Sequence, residues 1–478
     1  MNESVASANK KSEIERQKLT GRHVMILITC MLGILGPTAI IYTAAGLCYR
    51  PVAQAMGVQV SDVSLYITMV YLANLIFAVP AGVIFDKFNV KIVAAICSCM
   101  VGIPYFCMSM YTAIWMWWVA GIIIGAGLVL VEFILTAGIL GKWFHTKYGF
   151  VIGLCFAMTG VGGVIFNLWG QFILGADLSG WRTLYQTFGI VILLTSVPFQ
   201  LLFLKRTPQE CGLLPYGMPL NGLSDEDEDE DPSAQAGYMF KDCLKLPFFW
   251  VVLLAGGLIN TVTTMSQLFT TYVQWLGHDG WGGMAIVGLL LLSGTLESFA
   301  SAGQGLGKII IGAVESWNLK AALSLGCAGG IIGLCIIWFM PLNLGEGGIW
   351  PMFFGGAIYG LCYALSTAML PFLTREIFGS KDYDRIYSWI IAVFNGIGAI
   401  GATGWAVVEQ SLGWSAFFIG GMLDIALLYA LFMYVIVAGQ KKRLETWYTP
   451  EIEFSSTGRI KDPERRRQFE EQTGKNIA

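Results

Sequence analysis

The sequence predicts an all-α polytopic membrane protein whose twelve transmembrane helices form two pseudo-symmetric bundles of six. Three observations predict this fold class: the composition, a series of long apolar runs, and a loop motif that occurs twice. Hydrophobic residues make up 55% of the 478 residues and charged residues only 13%, with a mean hydropathy of +0.64. Soluble domains are less apolar and more highly charged. A lipid bilayer is therefore the expected environment, and the net charge of −3 gives no indication of a nucleic-acid partner.

Twelve apolar runs follow one another along the chain, separated by short polar gaps. Each has about 20 residues or more, which is enough for a helix to cross a hydrocarbon core of roughly 30 Å. The runs lie near 23–47, 62–85, 92–112, 114–140, 149–174, 183–204, 248–275, 282–312, 320–340, 351–373, 386–408 and 414–438. The predicted helices are numbered 1 to 12 in this order.

A polar segment with seven consecutive acidic residues, Asp225 to Asp231, separates the first six runs from the last six. Like charges repel one another and extend a chain, so this run is interpreted as a solvated spacer. The predicted parts are a cytoplasmic N-terminal segment at 1–22, a six-helix bundle at 23–204, a cytoplasmic acidic linker at 205–246, a second six-helix bundle at 247–439 and a cytoplasmic tail at 440–478.

Lysine and arginine predict the orientation of the chain in the membrane. They are concentrated at the termini and in alternate gaps, whereas the opposite gaps contain only Arg50 and Arg182. By the positive-inside rule both termini are cytoplasmic. We therefore expect a multi-pass protein of the cell (inner) membrane, acting as a monomer.

A short loop motif between helices 2 and 3 recurs between helices 8 and 9, nearly half the chain length further on. Asn89 matches Asn318, and an acidic residue and a lysine match on either side of it. The motif residues are Gly82, Asp86, Lys87 and Lys91 in the first copy and Glu315 and Lys320 in the second. A repeat at this spacing indicates two similar membrane halves, which favours solute transport over catalysis.

Ionisable side chains inside an apolar run are costly, so each one indicates a functional site. At 100° per residue, Glu297, Ser301, Gln304 and Lys308 share one face of helix 8. This stripe must face protein or water, because lipid would leave it unsatisfied. Lys308 either attracts an anionic substrate or extends to the inner interface, and Glu297 either carries a proton or bonds a neighbouring helix.

Helix 4 contributes a second candidate for proton coupling, Glu132, while the role of Asp424 in helix 12 is left open. Uncharged polar residues on other helices suggest a hydrated central cavity, with helix packing as the alternative for each of them. The predicted substrate-binding residues are Lys308, Tyr42, Asn260, Gln267, Tyr363 and Asn395. The three histidines fall at span ends or in loops, and neither a cofactor nor a metal site is predicted.

The repeated loop, the twelve runs and the acidic linker together resemble the major facilitator superfamily over about residues 23–440. The segment from Gly82 to Lys91 is similar to the family's loop between helices 2 and 3, which gates the cytoplasmic side. Asn89 stands in place of the usual glycine and Val90 in place of a basic residue. Asn accepts the left-handed conformation better than most residues, so it is a tolerable replacement for this glycine.

Finer features resemble one branch, the oxalate/formate antiporters and monocarboxylate porters. They are Lys142-Trp143-Phe144 after helix 4, Gly180-Trp181-Arg182 before helix 6 and Gly307-Lys308 in helix 8. In that branch a cation in helix 8 binds the substrate carboxylate, and its position matches Lys308. The oxalate carrier has a second cation in helix 11, where this chain has Asn395. The resemblance therefore implies a monocarboxylate, or a larger anion with a polar body.

The leading hypothesis is a secondary active transporter that moves a small organic anion by alternating access. It would work as an antiporter against a counter-anion or as a symporter with protons. Three alternatives remain open. The chain could carry a neutral or aromatic solute, with Lys308 in a structural ion pair. It could be a polytopic membrane enzyme, or a sensor of the same fold that binds its ligand without transporting it.

Overall fold

The computed structural model describes residues 16–146, 148–175, 177–218, 237–278, 287–367, 369–379 and 382–446. Over these ranges the chain is mostly helical, and no strand is present beyond two isolated bridges. Because the number of membrane helices is even, both ends of the helical region lie on the same side. We call this side the terminal side and the other the opposite side.

The first half contains helices 1 to 6. They run Gly21–Thr43, Val60–Lys87, Val90–Cys107, Trp115–Val129 continuing to Thr136–Trp143, Tyr148–Leu174 and Trp181–Phe203. Helices 1 and 4 each contain a π turn, at Ile34–Thr38 and Leu130–Leu135. A further helix, Gly46–Met56, follows helix 1 on the opposite side.

The second half contains helices 7 to 12. They run Pro247–His278, Thr295–Trp317, Leu319–Leu344, Ile349–Leu365 continuing as Met369–Phe378, and Tyr383–Thr446, which holds both helix 11 and helix 12. Gly413, at φ 81°, separates these last two. Within the described ranges ten stretches are long and apolar enough to cross a membrane. One of them covers helices 11 and 12, and helix 8 is long enough at 23 residues but too polar to be included.

The predicted start of helix 8 near residue 282 is wrong. Helix 8 begins at Thr295, after a separate 3-10 turn at Val287–Leu292. The side chain of Leu290 in this turn lies against Gly277 of helix 7. The turn is therefore apolar because it packs on helix 7, and apolarity alone does not distinguish it from the first part of a membrane helix.

Glycines bring equivalent helices together in the two halves. A Cβ added at Gly121 of helix 4 would lie 2.4 Å from the Tyr66 carbonyl oxygen of helix 2. In the second half, a Cβ at Gly303 of helix 8 would lie 2.0 Å from the Ala357 carbonyl oxygen of helix 10. Lipid provides no hydrophobic drive between helices, so such close backbone contacts hold each bundle together.

The repeated loop has the same local structure in both halves, but not for the reason expected. Asn89 has φ −63° and ψ 115°, so it does not use the left-handed conformation that asparagine tolerates. Its side chain instead caps helix 3 by accepting a hydrogen bond from the Lys91 N–H. Asn318 caps helix 9 in the same way, accepting from the N–H groups of Lys320 and Ala321. Asparagine is among the best N-cap residues, which explains its presence at both positions.

The two halves meet along helices 2 and 11 and along helices 5 and 8. On the opposite side the contact is tight. The Gln274 amide donates to the Leu47 carbonyl oxygen at 3.1 Å, and a Cβ at Gly46 would lie 1.8 Å from the Gln267 carbonyl oxygen. The Gln171 side chain of helix 5 also accepts a hydrogen bond from the backbone N–H of Gly294, just before helix 8. These contacts close the opposite side.

The two described ends of the linker are attached to different halves on the terminal side. Tyr216 forms a backbone bridge with Phe144, at the end of helix 4. Gly237 forms a bridge with Gly379, at the end of helix 10. Helices 4 and 10 are equivalent in the repeat, so each end of the linker is fixed at the corresponding place in its own half.

Candidate functional site

The polar stripe of helix 8 lies inside the protein, as predicted. Glu297, Ser301 and Gln304 are all buried, and Lys308 is half-buried. The Ser266 hydroxyl of helix 7 donates to the Glu297 carboxylate at 3.2 Å. A Cβ at Gly163 of helix 5 would lie 2.2 Å from the Ser301 hydroxyl oxygen. The stripe therefore faces helix 5 and the junction between the halves.

Lys308 crosses from the second half to the first. Its Nζ donates to the Phe156 carbonyl oxygen and to the Thr159 hydroxyl oxygen, both at 3.2 Å and both on helix 5. These partners are neutral oxygens, so the contact satisfies donors of the ammonium without neutralising its charge. Lys308 therefore places a positive charge at the junction of the two halves.

Glu132 provides the matching acid from the first half. It lies in the π turn of helix 4, and its side chain is only 6% exposed. The carboxyl group lies within electrostatic range of Lys308 and close to the Tyr42 hydroxyl, and one of its oxygens is buried without a hydrogen-bond partner. Such π turns often occur at functional sites. A buried acid and a half-buried base, from different halves, thus lie within electrostatic range of each other.

Tyrosines surround this acid–base pair. Tyr42 of helix 1 stacks on Tyr71 of helix 2, with ring centroids 5.3 Å apart. Its hydroxyl accepts a hydrogen bond from the Asn74 amide at 2.6 Å. Tyr363 of helix 10 lies within electrostatic range of Glu132 and close to the Gln304 side chain. Helices 1, 2, 4, 8 and 10 therefore contribute to a single polar and aromatic cluster, which we call the central cluster.

Three predicted substrate-binding residues make other contacts. The Asn260 amide donates to the Phe394 carbonyl oxygen at 3.0 Å, within the second half. Gln267 accepts a hydrogen bond from the Tyr49 hydroxyl at 2.8 Å, in the contact that closes the opposite side. The Asn395 amide donates to a carbonyl oxygen of its own helix, at Ile391. Among the described contacts none joins these side chains to Lys308 or Glu132.

The predicted gating-loop residues lie on the terminal side. The surroundings of Gly82 and the side chain of Asp86 fall outside the described part of the chain. Lys87 and Lys320 are exposed. Lys91 donates to the Leu201 carbonyl oxygen at 3.2 Å, and the Glu315 carboxylate has a buried oxygen without a hydrogen-bond partner.

The sequence analysis missed three residues that surround the acid–base pair: Tyr71, Asn74 and Thr159. Tyr71 and Asn74 are three residues apart on helix 2, so their shared helix face is the signal that could have identified them. Asp424, whose role was open, accepts a hydrogen bond from the Thr261 hydroxyl and so joins helix 12 to helix 7. Within the described ranges no group of three His, Cys, Asp or Glu side chains could hold a metal ion.

Comparisons with known proteins agree with this architecture. The family model for the Major Facilitator Superfamily matches residues 23–301, more than half of the chain. No curated protein gives a match. The nucleoside transporter NupG has a TM-score of 0.62 at 13% identity, covering 87% of this chain and 99% of its own.

Two other solved structures share the fold at similarly low identity. A bacterial homolog of the human lysosomal transporter Spinster, inward-facing and unoccupied, has a TM-score of 0.60 at 15% identity, covering 90% of this chain and 98% of its own. A D-xylose–proton symporter has a TM-score of 0.62 at 12% identity, covering 86% and 96%. The chain therefore belongs to the major facilitator superfamily and is a secondary transporter rather than an enzyme.

Proposed function

We propose that this transporter carries a small monocarboxylate together with a proton. The observation that supports this proposal is the approach of Lys308 and Glu132 from opposite halves of the chain, inside the central cluster. Charged groups are rare at this depth in a membrane and usually belong to substrate or ion pathways. A site with one buried base and one buried acid is suited to an anion that travels with a proton.

The Lys308 ammonium is the group that would bind the substrate carboxylate. Its hydrogen bonds to Phe156 and Thr159 are to neutral acceptors, so a carboxylate offers it a stronger, charge-assisted partner. The low dielectric of the site strengthens this attraction. Thr159 and the helix 5 backbone would hold the ammonium in place while the site is empty.

Glu132 would couple the carboxylate to a proton. An ionised Glu132 beside Lys308 repels a second carboxylate, whereas a protonated one does not. Binding of the anion and protonation of Glu132 therefore favour each other. Glu297 is the weaker candidate for this role, because its described hydrogen bond is to Ser266 within the second half.

Alternating access follows from the location of these groups. Lys308 belongs to one half, and Glu132 and Tyr42 belong to the other, so rocking of the halves exposes the site to each side in turn. In the present arrangement the contacts of Gly46 and Gln274 close the opposite side. Release or entry on that side requires these contacts to separate.

The uncharged residue of helix 11 favours an anion with a single carboxylate. Asn395 is uncharged, and its amide is hydrogen-bonded within its own helix. A dianion such as oxalate would leave its second carboxylate without a cation beside Lys308. A single carboxylate on a small polar body is therefore the preferred substrate class.

A neutral or aromatic solute is the second candidate. Two observations favour it: Lys308 already has two oxygen partners on helix 5, and tyrosines line the site. Structures with this fold include a nucleoside transporter and a D-xylose–proton symporter. In this case Lys308 would hold helices 5 and 8 together and would not select carboxylates.

The test is uptake by purified protein in liposomes, with labelled formate, lactate, oxalate, xylose and uridine. Each solute is measured with and without an imposed pH gradient, and again with unlabelled anion trapped inside. Saturable monocarboxylate uptake that rises with the gradient supports symport. Uptake that needs internal anion and ignores the gradient indicates exchange. Uptake of xylose or uridine, with no carboxylate flux, would overturn the anion proposal.

A further inference from the structure

A groove on the outer surface of the first half lies between helices 3, 4 and 6. It has a volume of about 490 Å³, and every residue that lines it is apolar. The lining residues are Ile92, Ala95, Ile96, Cys99, Met100, Ile103, Pro104, Ile123, Val197 and Leu201. Ala95 is only 7% exposed and forms the floor, whereas Ile92 and Ile96 are each 55% exposed and form the rim.

The length and depth of the groove match one leaflet of a bilayer. Ile92 lies in the first turn of helix 3, on the terminal side, and Ile103 lies near its other end. At 1.5 Å per residue these two residues are roughly 16 Å apart along the helix. Half of the hydrocarbon core is about 15 Å thick. The groove is therefore about as long as one leaflet is thick, and it can hold most of an acyl chain that enters from the membrane surface.

A positive charge stands at the surface end of the groove. Lys91 is half-buried, and its Nζ donates to the carbonyl oxygen of Leu201, which itself lines the groove. A lysine ammonium has three donors, so two remain after this contact. Lys87 is exposed nearby, at the end of helix 2. Clusters of basic residues on this side of a membrane protein attract anionic lipid head groups.

We propose that the groove binds one anionic phospholipid, with an acyl chain on Ala95 between the isoleucines and the phosphate group at Lys91. The apolar lining fits an acyl chain, and the length of the groove matches the thickness of one leaflet. The lysine at the surface end favours a negatively charged head group. This proposal is independent of the solute carried at the central cluster. A second copy of the protein or an uncharged lipid would use the apolar walls but would not need Lys91.

Photo-crosslinking tests the proposal directly. The wild-type protein is placed in phosphatidylcholine nanodiscs that contain a trace of phosphatidylglycerol with a diazirine on its acyl chain. A phosphatidylcholine probe with the same acyl chain serves as the comparison, and labelled peptides are mapped by mass spectrometry. We expect the phosphatidylglycerol probe to label residues 92–104, and unlabelled phosphatidylglycerol to compete with it. Competition needs no variant, so it tests the site in a protein whose folding is not in question.

Two variants separate the head group from the chain. Lys91→Gln should lower phosphatidylglycerol labelling about fivefold, close to the phosphatidylcholine level. Ala95→Phe fills the floor and should remove labelling by both probes. Lys320→Gln is the matched control, because Lys320 begins the equivalent helix of the other half and does not line this groove. Equal labelling by both head groups, or labelling unaffected by Lys91→Gln and by competitor, would overturn the proposal.

Discussion

Helices 2 and 8 occupy equivalent places in the two halves, yet their polar residues differ. Each packs closely on the helix two places further along through glycine, and each is followed by a helix that is capped by asparagine. In the middle of the membrane, helix 2 presents Tyr71 and Asn74, whereas helix 8 presents Glu297 and Lys308. The repeat thus preserves the packing and capping that the fold requires and changes the polar residues inside the membrane.

The charges divide between the halves in a complementary way. The first half places an acid, Glu132, in the central cluster, and the second half places a base, Lys308. Neither half could form the pair alone. We therefore expect transport to depend on the residues that differ between the halves. The following variants test this expectation, from the largest expected effect to the smallest.

Removing the positive charge should have the largest effect. Lys308→Gln is expected to slow carboxylate uptake at low substrate concentration by roughly 10- to 100-fold, since a hydrogen bond to a charged group contributes about 1.5–3 kcal/mol. Lys308→Arg should retain part of the rate. The control is Lys245→Gln, which removes an exposed lysine of the linker. If Lys308→Gln slows uptake of every solute equally, the lysine is structural.

The acid of the first half should control the response to pH. Glu132→Gln keeps the shape of the side chain but cannot ionise, so uptake should lose its stimulation by a pH gradient while exchange of internal for external anion continues. Glu297→Gln is the matched variant in the second half and should keep the gradient response. The opposite result, with Glu297→Gln losing the response, would transfer the coupling role to the second half.

The contact between the halves on the opposite side should be sensitive to a single methyl group. Gly46→Ala places a Cβ 1.8 Å from the Gln267 carbonyl oxygen, so the helix Gly46–Met56 must separate from helix 7. We expect faster labelling of an introduced Gln274→Cys by an impermeant maleimide when Gly46→Ala is also present. Gly153→Ala is the control, because a Cβ there has no neighbour within 4 Å. Unchanged labelling would show that the halves do not part at this contact.

Thr159 allows the role of helix 5 in positioning Lys308 to be measured. Thr159→Val removes the oxygen that Lys308 contacts at 3.2 Å, and Thr159→Ser restores it. A hydrogen bond contributes about 1 kcal/mol net, and Lys308 keeps its contact with the Phe156 carbonyl oxygen, so Thr159→Val should change the KM for the carboxylate about fivefold. The pH-gradient response should remain. A loss of maximal rate with an unchanged KM would instead indicate that Thr159 serves the movement of the halves.

The smallest effects should come from the caps and should be alike in the two halves. Asn89→Ala and Asn318→Ala should each lower the free energy of unfolding by about 1 kcal/mol. Asn318 accepts from two backbone N–H groups and Asn89 from one, so the second variant should cost slightly more. Thermal unfolding of the two variants in the same detergent measures the difference. A large loss at only one cap would contradict the equivalence of the halves.

The 3.6-residue periodicity predicted which polar residues of helix 8 share one face. It predicted little about which side chains point inwards in helices 1 and 4, which contain π turns. Glu297, Ser301 and Gln304 were placed on one inward face by 100° rotation alone, because a polar face in lipid has to point inwards. Glu132 was recognised by its charge, but its approach to Lys308 depends on the π turn of helix 4, where regular spacing does not apply. Tyr71 carries no charge, so only the helix face that it shares with Asn74 distinguishes it from a packing residue.

Asn89 shows the other limit of sequence reasoning. The sequence identified this residue as part of the repeat, but its presence was explained only as a tolerable replacement for glycine. The structure shows an N-cap, an equally common use of asparagine. The type of a residue limits its possible structural roles, and the surrounding backbone conformation determines which of these roles it has.

The attachment of the linker has a mechanical consequence. Its ends are fixed by the bridges at Tyr216 and Gly237. The residues between them reach roughly 65–75 Å when fully extended, at about 3.3–3.6 Å per residue. This length sets an upper limit on how far Tyr216 and Gly237 can move apart when the halves rock. The contribution of the linker is a high local concentration of each half near the other, which favours pairing within one chain over exchange between chains.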